Sequence, residues 1–194
     1  MPSADFLLSL RRACADVREA EPVARHTTVR VGGRAAAMAF PCDDVELARV
    51  LGCAAARRDV ELAIVGGGAN LFADSAGFSG LVVNMSRRTG GIALDAEGLL
   101  IADGGARLND VARAAARLGW GGVNFMAEVP GTVGGAVVIN AGTNVGGYVA
   151  DRCEWVETMN LAGEKRRLAP AEMHFDYRSS VLLHGGELIL RAAF

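Results

Sequence analysis

The chain has no basic excess, little proline and no long apolar run. Its 20 Lys and Arg stand against 22 Asp and Glu, a formal charge of −2, so no basic field is available for a phosphate backbone. Aromatic residues, 6% of the total, are not interleaved with basic ones as a single-strand stacking surface requires. Both absences argue against nucleic acid as a partner. Gly, Asn or Arg interrupts each apolar stretch well before the roughly 20 residues that span a bilayer, so no membrane segment is expected. The amino-terminal MPSADFLLSLRRACADVREA is too charged and too briefly apolar for a secretory signal. Cys14, Cys42, Cys53 and Cys153 show neither C-x-x-C nor finger spacing and are expected to be reduced and structural. His26, His174 and His184 are scattered and no H-E-x-x-H occurs, so no metal site is expected. Five prolines without a G-X-Y period exclude collagen and proline-rich disorder. What remains is a 194-residue, 51% apolar chain, expected in the cytoplasm and large enough for one compact domain or two small ones.

Glycine is what the chain has in plenty. It supplies 25 residues, about 13% against a typical usage near 7%. The glycines cluster as GGGAN, GWGG, PGTVGG, NVGG and HGG between apolar runs, a pattern of sharply bent or closely approached backbone.

Apolar spacing predicts a helix from Ala4 to about Glu19 and a β-like run HTTVRVGGRAAAMAFP broken at Gly32-Gly33. A second helix, capped at Asp43-Asp44-Val-Glu46, is expected to reach about Arg58. Strands are expected at Val60–Val65, Leu81–Met85, 91–94 and 99–102, with a boundary at Arg87–Gly91. A helix over Leu108–Leu118 stops at Gly119. Strands at Glu154–Asn160 and Glu164–Leu168 flank a tight Leu161–Gly163 turn, and Glu187–Phe194 reads as a last strand.

The strand running into Gly66-Gly67-Gly68-Ala69-Asn70 has two readings, a tight turn or a cradle of backbone N–H groups for a diphosphate. Neither G-x-G-x-x-G nor G-K-[ST] fits it, so the two common nucleotide fingerprints do not apply. Pro130 to Ala136 followed by Ile139-Asn140-Ala141-Gly142 suggests a close-packed loop and short helix. Its small residues allow a flat ring to lie on the backbone. Two such clusters favour an extended ligand such as a dinucleotide. Tyr177-Arg178-Ser179-Ser180 adds a permanent cation that can stabilise a developing oxyanion, or serve as an ordinary surface arginine.

In order, Thr28 to Gly33 (TTVRVGG with its preceding residue), Val65 to Leu71 (VGGGANL), Gly77 to Val83, Pro130 to Gly142 and Tyr177 to Ser180 resemble the UDP-N-acetylenolpyruvoylglucosamine reductase family, also called UDP-N-acetylmuramate dehydrogenases. The resemblance implies an α+β, two-lobed FAD-binding fold of the vanillyl-alcohol oxidase (PCMH) type, lacking the family's C-terminal substrate-binding domain. Lobe 1 would be residues 1–88 and lobe 2 residues 89–194. It implies FAD in a cleft between lobes, NADPH as reductant and a UDP-amino-sugar enolpyruvate as substrate in peptidoglycan precursor synthesis. Val65, Gly66, Gly67, Gly68, Ala69, Asn70 and Leu71 would wrap the pyrophosphate. Pro130, Gly131, Thr132, Gly134, Gly135, Asn140, Ala141 and Gly142 would line pyrophosphate and flavin, and Arg178 would bind the substrate carboxylate as the catalytic arginine. The family's proton-donating serine and assisting glutamate belong to the third domain, so Ser179 and Ser180 are not that donor. Two alternatives stay open, a short FAD-binding homologue without reductase activity and a non-catalytic α+β scaffold. Glu128, Arg34 and Asn144 depart from the family pattern; Glu128 either weakens flavin binding or points to solvent.

Overall fold

A computed structural model describes residues 3–57, 59–88 and 90–194. The chain divides into two compact units, Met1–Arg88 with Leu161–Gly163, and Thr89–Asn160 with Glu164–Phe194.

The first unit contains α1 (Ala4–Ala13), β1 (Val17–Pro22), β2 (Arg34–Ala39), α2 (Asp44–Ala55), β3 (Leu62–Val65) and β4 (Phe78–Asn84). Its sheet has the order β1-β2-β4-β3, antiparallel at β1/β2 and parallel elsewhere. Leu81, Val82 and Val83 of β4 are all buried, the continuous apolar run expected of an inner strand covered on both faces. Burying each such side chain contributes about 1.5–3 kcal/mol relative to leaving it exposed. Ser3 caps α1 by accepting from the Phe6 N–H, and Phe6, Leu10 and Ala13 form its buried face. The expected helix to Glu19 is therefore corrected: α1 closes at Cys14, whose N–H donates to the Leu10 carbonyl, and Val17 opens a strand paired with Ala39. Val17 fits the helical spacing, but pairing of Val17–Glu19 with β2 satisfies their backbone polar groups better. α2 starts where the capping residues predict and ends at Ala55; its expected end at Arg58 lies outside the described residues, as does Thr89 in the expected boundary.

The second unit comprises β5 (Ile92–Leu94), β6 (Leu100–Asp103), α3 (Leu108–Arg117), α4 (Val133–Val138), β7 (Gly142–Thr143), β8 (Gly147–Tyr148), β9 (Trp155–Asn160), β10 (Lys165–Leu168) and β11 (Glu187–Ala193). Its antiparallel sheet runs β10-β9-β11-β6-β5, and β7 and β8 form a separate small ladder. α3 buries Leu108, Val111 and Ala115 on one face. It ends in a Schellman motif: Gly119 at φ +69° lets its own N–H reach the Ala116 carbonyl and that of Trp120 reach Ala115. The core between sheet and helices includes Leu100, Met126, Val137, Val156 and Phe194. Among the described residues no helix is long and apolar enough to cross a membrane.

Candidate cofactor site

The five sequence motifs assemble in two groups, one in each unit. In the first unit, β3 runs straight into Gly66, and the loop bends back at Gly68 with φ +63°. The Thr28 N–H donates to the Gly68 carbonyl at 3.0 Å, and a Cβ on Gly68 would stand 1.9 Å from the His26 carbonyl oxygen. Gly33 and Gly77 form a second crossing. The Gly33 N–H bonds the Asp74 carbonyl at 2.8 Å, while a Cβ on Gly33 would meet Ser75 O at 2.3 Å and one on Gly77 would meet Arg34 O at 2.4 Å. The Thr28–Gly33, Val65–Leu71 and Gly77–Val83 motifs are thus neighbours, held by close backbone approach.

This assembly leaves donors free. The N–H groups of Gly67, Gly68, Ala69 and Asn70 make no hydrogen bond among the described residues. Val65 pairs with Asn84 in the sheet, and Asn84, 1% exposed, has a buried Nδ2 with no partner among the described residues. Its amide orientation is fixed because Oδ1 accepts from the Ser86 N–H at 3.0 Å. An unpartnered buried amide donor beside a loop of free N–H groups fits an anionic diphosphate, the charge such a nest takes up. No local pattern in the sequence singles out Asn84.

In the second unit the Pro130–Gly142 and Tyr177–Ser180 motifs meet. Thr132 precedes α4 and is 3% exposed, yet its Oγ1 makes no cap bond and has no partner among the described residues. Gly134 donates to Gly104 O at 2.8 Å, and Gly104 lies so close to β11 that a Cβ would meet Ile189 O at 2.1 Å. Gly104 was readable as part of a Gly104-Gly105 pair after a strand, although it stands outside the clusters singled out above. α4 ends in another Schellman motif, with the Ala141 N–H on Ala136 O and Asn140 in the left-handed position at φ +43°. Tyr177 and Arg178 occupy the tip of a two-residue turn closed by mutual hydrogen bonds of Asp176 and Ser179. Arg178 is exposed, has φ +54° and donates through Nη2 to Gly142 O at 3.2 Å. A non-glycine residue in this backbone region is held there by its surroundings.

The departures from the family pattern are accommodated. Glu128 is exposed at the end of a short 3-10 turn, Arg34 donates to the Ala20 carbonyl, and Asn144 accepts from the Tyr148 hydroxyl at 2.7 Å. The cysteines stand as free thiols, and burial pushes Cys153 up to about 12 and Cys14 up to about 11, far from a nucleophilic thiolate. A cavity of about 740 Å³ lined by Phe6, Arg12, Arg49, Cys53 and Arg57 contains none of the expected site residues.

The sequence profile described as FAD binding domain matches residues 35–169. The chain is 35% identical over 188 residues to the UDP-N-acetylenolpyruvoylglucosamine reductase of Lactobacillus johnsonii, covering 97% of this chain and 62% of that protein. It is 37% identical to the UDP-N-acetylenolpyruvoylglucosamine reductase 2 of Symbiobacterium thermophilum, over 93% of this chain and 58% of that one. Among solved structures, the UDP-N-acetylenolpyruvylglucosamine reductase of Thermus caldophilus superposes with a TM-score of 0.72 at 28% identity, covering 91% of this chain and 60% of that one. The glucooligosaccharide oxidase of Acremonium strictum, at 18% identity and a TM-score of 0.68 over 96% of this chain and 42% of its own, shares the fold. The chain thus spans about three fifths of the length of these reductases (62% in Lactobacillus johnsonii). Its α+β architecture is the FAD-binding one that the motifs implied, and FAD is the cofactor. With the profile covering more than half of its length, the chain belongs to the FAD binding domain family.

Proposed function

We propose that this chain is the FAD-binding part of an NADPH-dependent UDP-N-acetylenolpyruvoylglucosamine reductase acting in cytoplasmic peptidoglycan precursor synthesis, and so in cell shape and division. The observation that carries the reading is the coupling of the two motifs of the second unit: the turn presenting Arg178 is bonded to the small-residue segment 138–142. Similarity to reductases over 97% of the chain supports it independently.

In lobe 1, residues 1–88, the N–H groups of the Gly66–Asn70 loop and Asn84 Nδ2 would hold the pyrophosphate. In lobe 2, residues 89–194, Thr132 Oγ1 would donate to or accept from the cofactor, and Gly135 beside it would leave the approach free of a side chain, while Gly134 lets α4 pack close on Gly104. When bound, FAD supplies hydride transfer between NADPH and the enolpyruvyl double bond. Arg178 would grip the substrate carboxylate, drawing charge away from the carbon that accepts hydride. Its guanidinium stays charged throughout, so it orients and polarises without moving a proton. Proton delivery to the adjacent carbon falls to the serine of the family's substrate-binding domain, with its glutamate assisting.

Titration of the purified chain with FAD, followed by quenching of flavin fluorescence, tests the reading. Saturable binding is expected, with Thr132→Val weakening it about tenfold, the worth of one lost hydrogen bond. Arg178→Ala is expected to bind FAD as the parent does, and in the longer reductase polypeptide to abolish reduction of the enolpyruvyl substrate. Absence of FAD binding, or full turnover in the Arg178 variant, would refute it.

A further inference from the structure

Asn140 belongs to the segment expected to touch the cofactor, yet both polar atoms of its side chain are engaged by protein. It is 7% exposed. Oδ1 accepts from the Ala150 N–H at 2.9 Å and Nδ2 donates to the Asp176 carbonyl at 3.1 Å. Only that amide orientation serves both partners, a donor on one side and an acceptor on the other.

Asn140 also holds the position after α4 where helices most often place glycine, because the backbone there is left-handed at φ +43°. Glycine would adopt that backbone without strain but would offer nothing to the two partners. Asparagine tolerates the conformation and adds the cross-link. Two further bonds tie the same strands of chain together: Ser180 Oγ donates to Val138 O at 2.8 Å and Arg178 Nη2 to Gly142 O at 3.2 Å. The turn bearing Arg178 is therefore bonded on each side of its tip to 138–142, and Arg178 itself sits at φ +54°.

We infer that Asn140 is the positioning residue of Arg178. Through Nδ2 it holds the carbonyl of Asp176, the residue that opens the turn, and so keeps Arg178 at the tip in its left-handed conformation. Through Oδ1 it fastens the same point to the 149–151 turn. Asn140 thus acts on the substrate end of the site through Arg178, with both side-chain polar atoms turned to protein partners. The inference rests on the proposed function for the word substrate, while the link between Asn140 and the turn stands on geometry alone.

Trypsin reads the turn directly, because it cleaves after Arg178. Two variants separate the two bonds. Asn140→Asp keeps an oxygen for the Ala150 N–H and sets a carboxylate against the Asp176 carbonyl. Asn140→Gly relaxes the backbone and removes both bonds, and remains foldable where a buried carboxylate is costly. Both are expected to raise the rate of cleavage at Arg178-Ser179 about tenfold, as expected when one hydrogen bond closing a local opening is lost. Amide exchange at Ser179 should rise in parallel, while exchange in β9 and β11 stays as in the parent. FAD affinity should stay within about threefold of the parent, less than the tenfold worth of one direct hydrogen bond. Unchanged cleavage and exchange at the turn in Asn140→Gly would overturn the inference. So would Asn140→Asp behaving as the parent, which would make Asn140 merely a helix-end residue. Loss of FAD with an unaltered turn would place Asn140 on the cofactor and overturn it too. Failure of the parent chain to bind FAD strikes the proposed function alone, since the cleavage and exchange readouts need no flavin.

Discussion

Gly68 and Gly186 have nearly the same backbone, φ +63° and φ +67°, and opposite surroundings. A Cβ on Gly68 would collide with the His26 carbonyl at 1.9 Å, whereas nothing lies within 4 Å of one on Gly186. Gly186→Ala should therefore show left-handed strain alone, about 1 kcal/mol. Gly68→Ala adds a backbone collision and should cost roughly 3 kcal/mol or more. Urea unfolding of the two variants measures the difference, and equal losses would contradict the close crossing of 26–28 with the glycine loop. At this scale the sequence was half legible. It marked the glycines, and it could not distinguish one needed for crossing another chain segment from those leaving N–H groups free. Asn84 was less legible still, because an isolated asparagine carries no pattern; Asn140 was marked by its motif, but its bonds to Ala150 and Asp176 depend on what the fold puts beside it.

Among the elements, α2 shows how a short sequence signal becomes a joint. Asp43 accepts from the Glu46 N–H at 2.8 Å, and the Glu46 carboxylate accepts from the N–H groups of Cys42 at 2.9 Å and Ala15 at 3.1 Å. Asp43 thus caps the helix, while the Glu46 carboxylate ties its start to the end of α1. The Cys42 N–H, partly opposed by burial and aided by the Ala15 N–H, lowers the Glu46 pKa below its ordinary 4.5. A carboxyl depressed in the folded state contributes stability that is present above 4.5 and lost as pH falls through the lowered value. Glu46→Gln should consequently lower the melting temperature at neutral pH and flatten its decline in acid; an unchanged acid slope would count against the joint. The D-x-x-E spacing made this cap readable in the sequence. The close of α1 was not, because Val17 fits both a helical face and a strand, and the pairing of Val17 with Ala39 that decides between them joins residues far apart in the chain.

For the molecule as a whole, the motif order told which segments mattered, and the topology decided how they group. No local pattern announces that β11 lies between β9 and β6, since each strand alone reads as an ordinary half-buried run. Removing residues 187–194 should abolish cooperative unfolding of the second unit, because two ladders lose their shared partner together. Trp120 and Trp155 both lie in that unit, so their fluorescence reports its loss, and a retained sharp transition would show that β6 and β9 can close without β11. The central strand also comes last in chain order among the strands of its sheet. Until Glu187 to Ala193 have been added and have left the ribosome, β6 and β9 have open edges with unmet carbonyl and amide groups, the situation in which nascent chains pair with one another. Translation speed across the codons for β11, and chaperone cover during that interval, should thus govern how many of these chains escape pairing with one another.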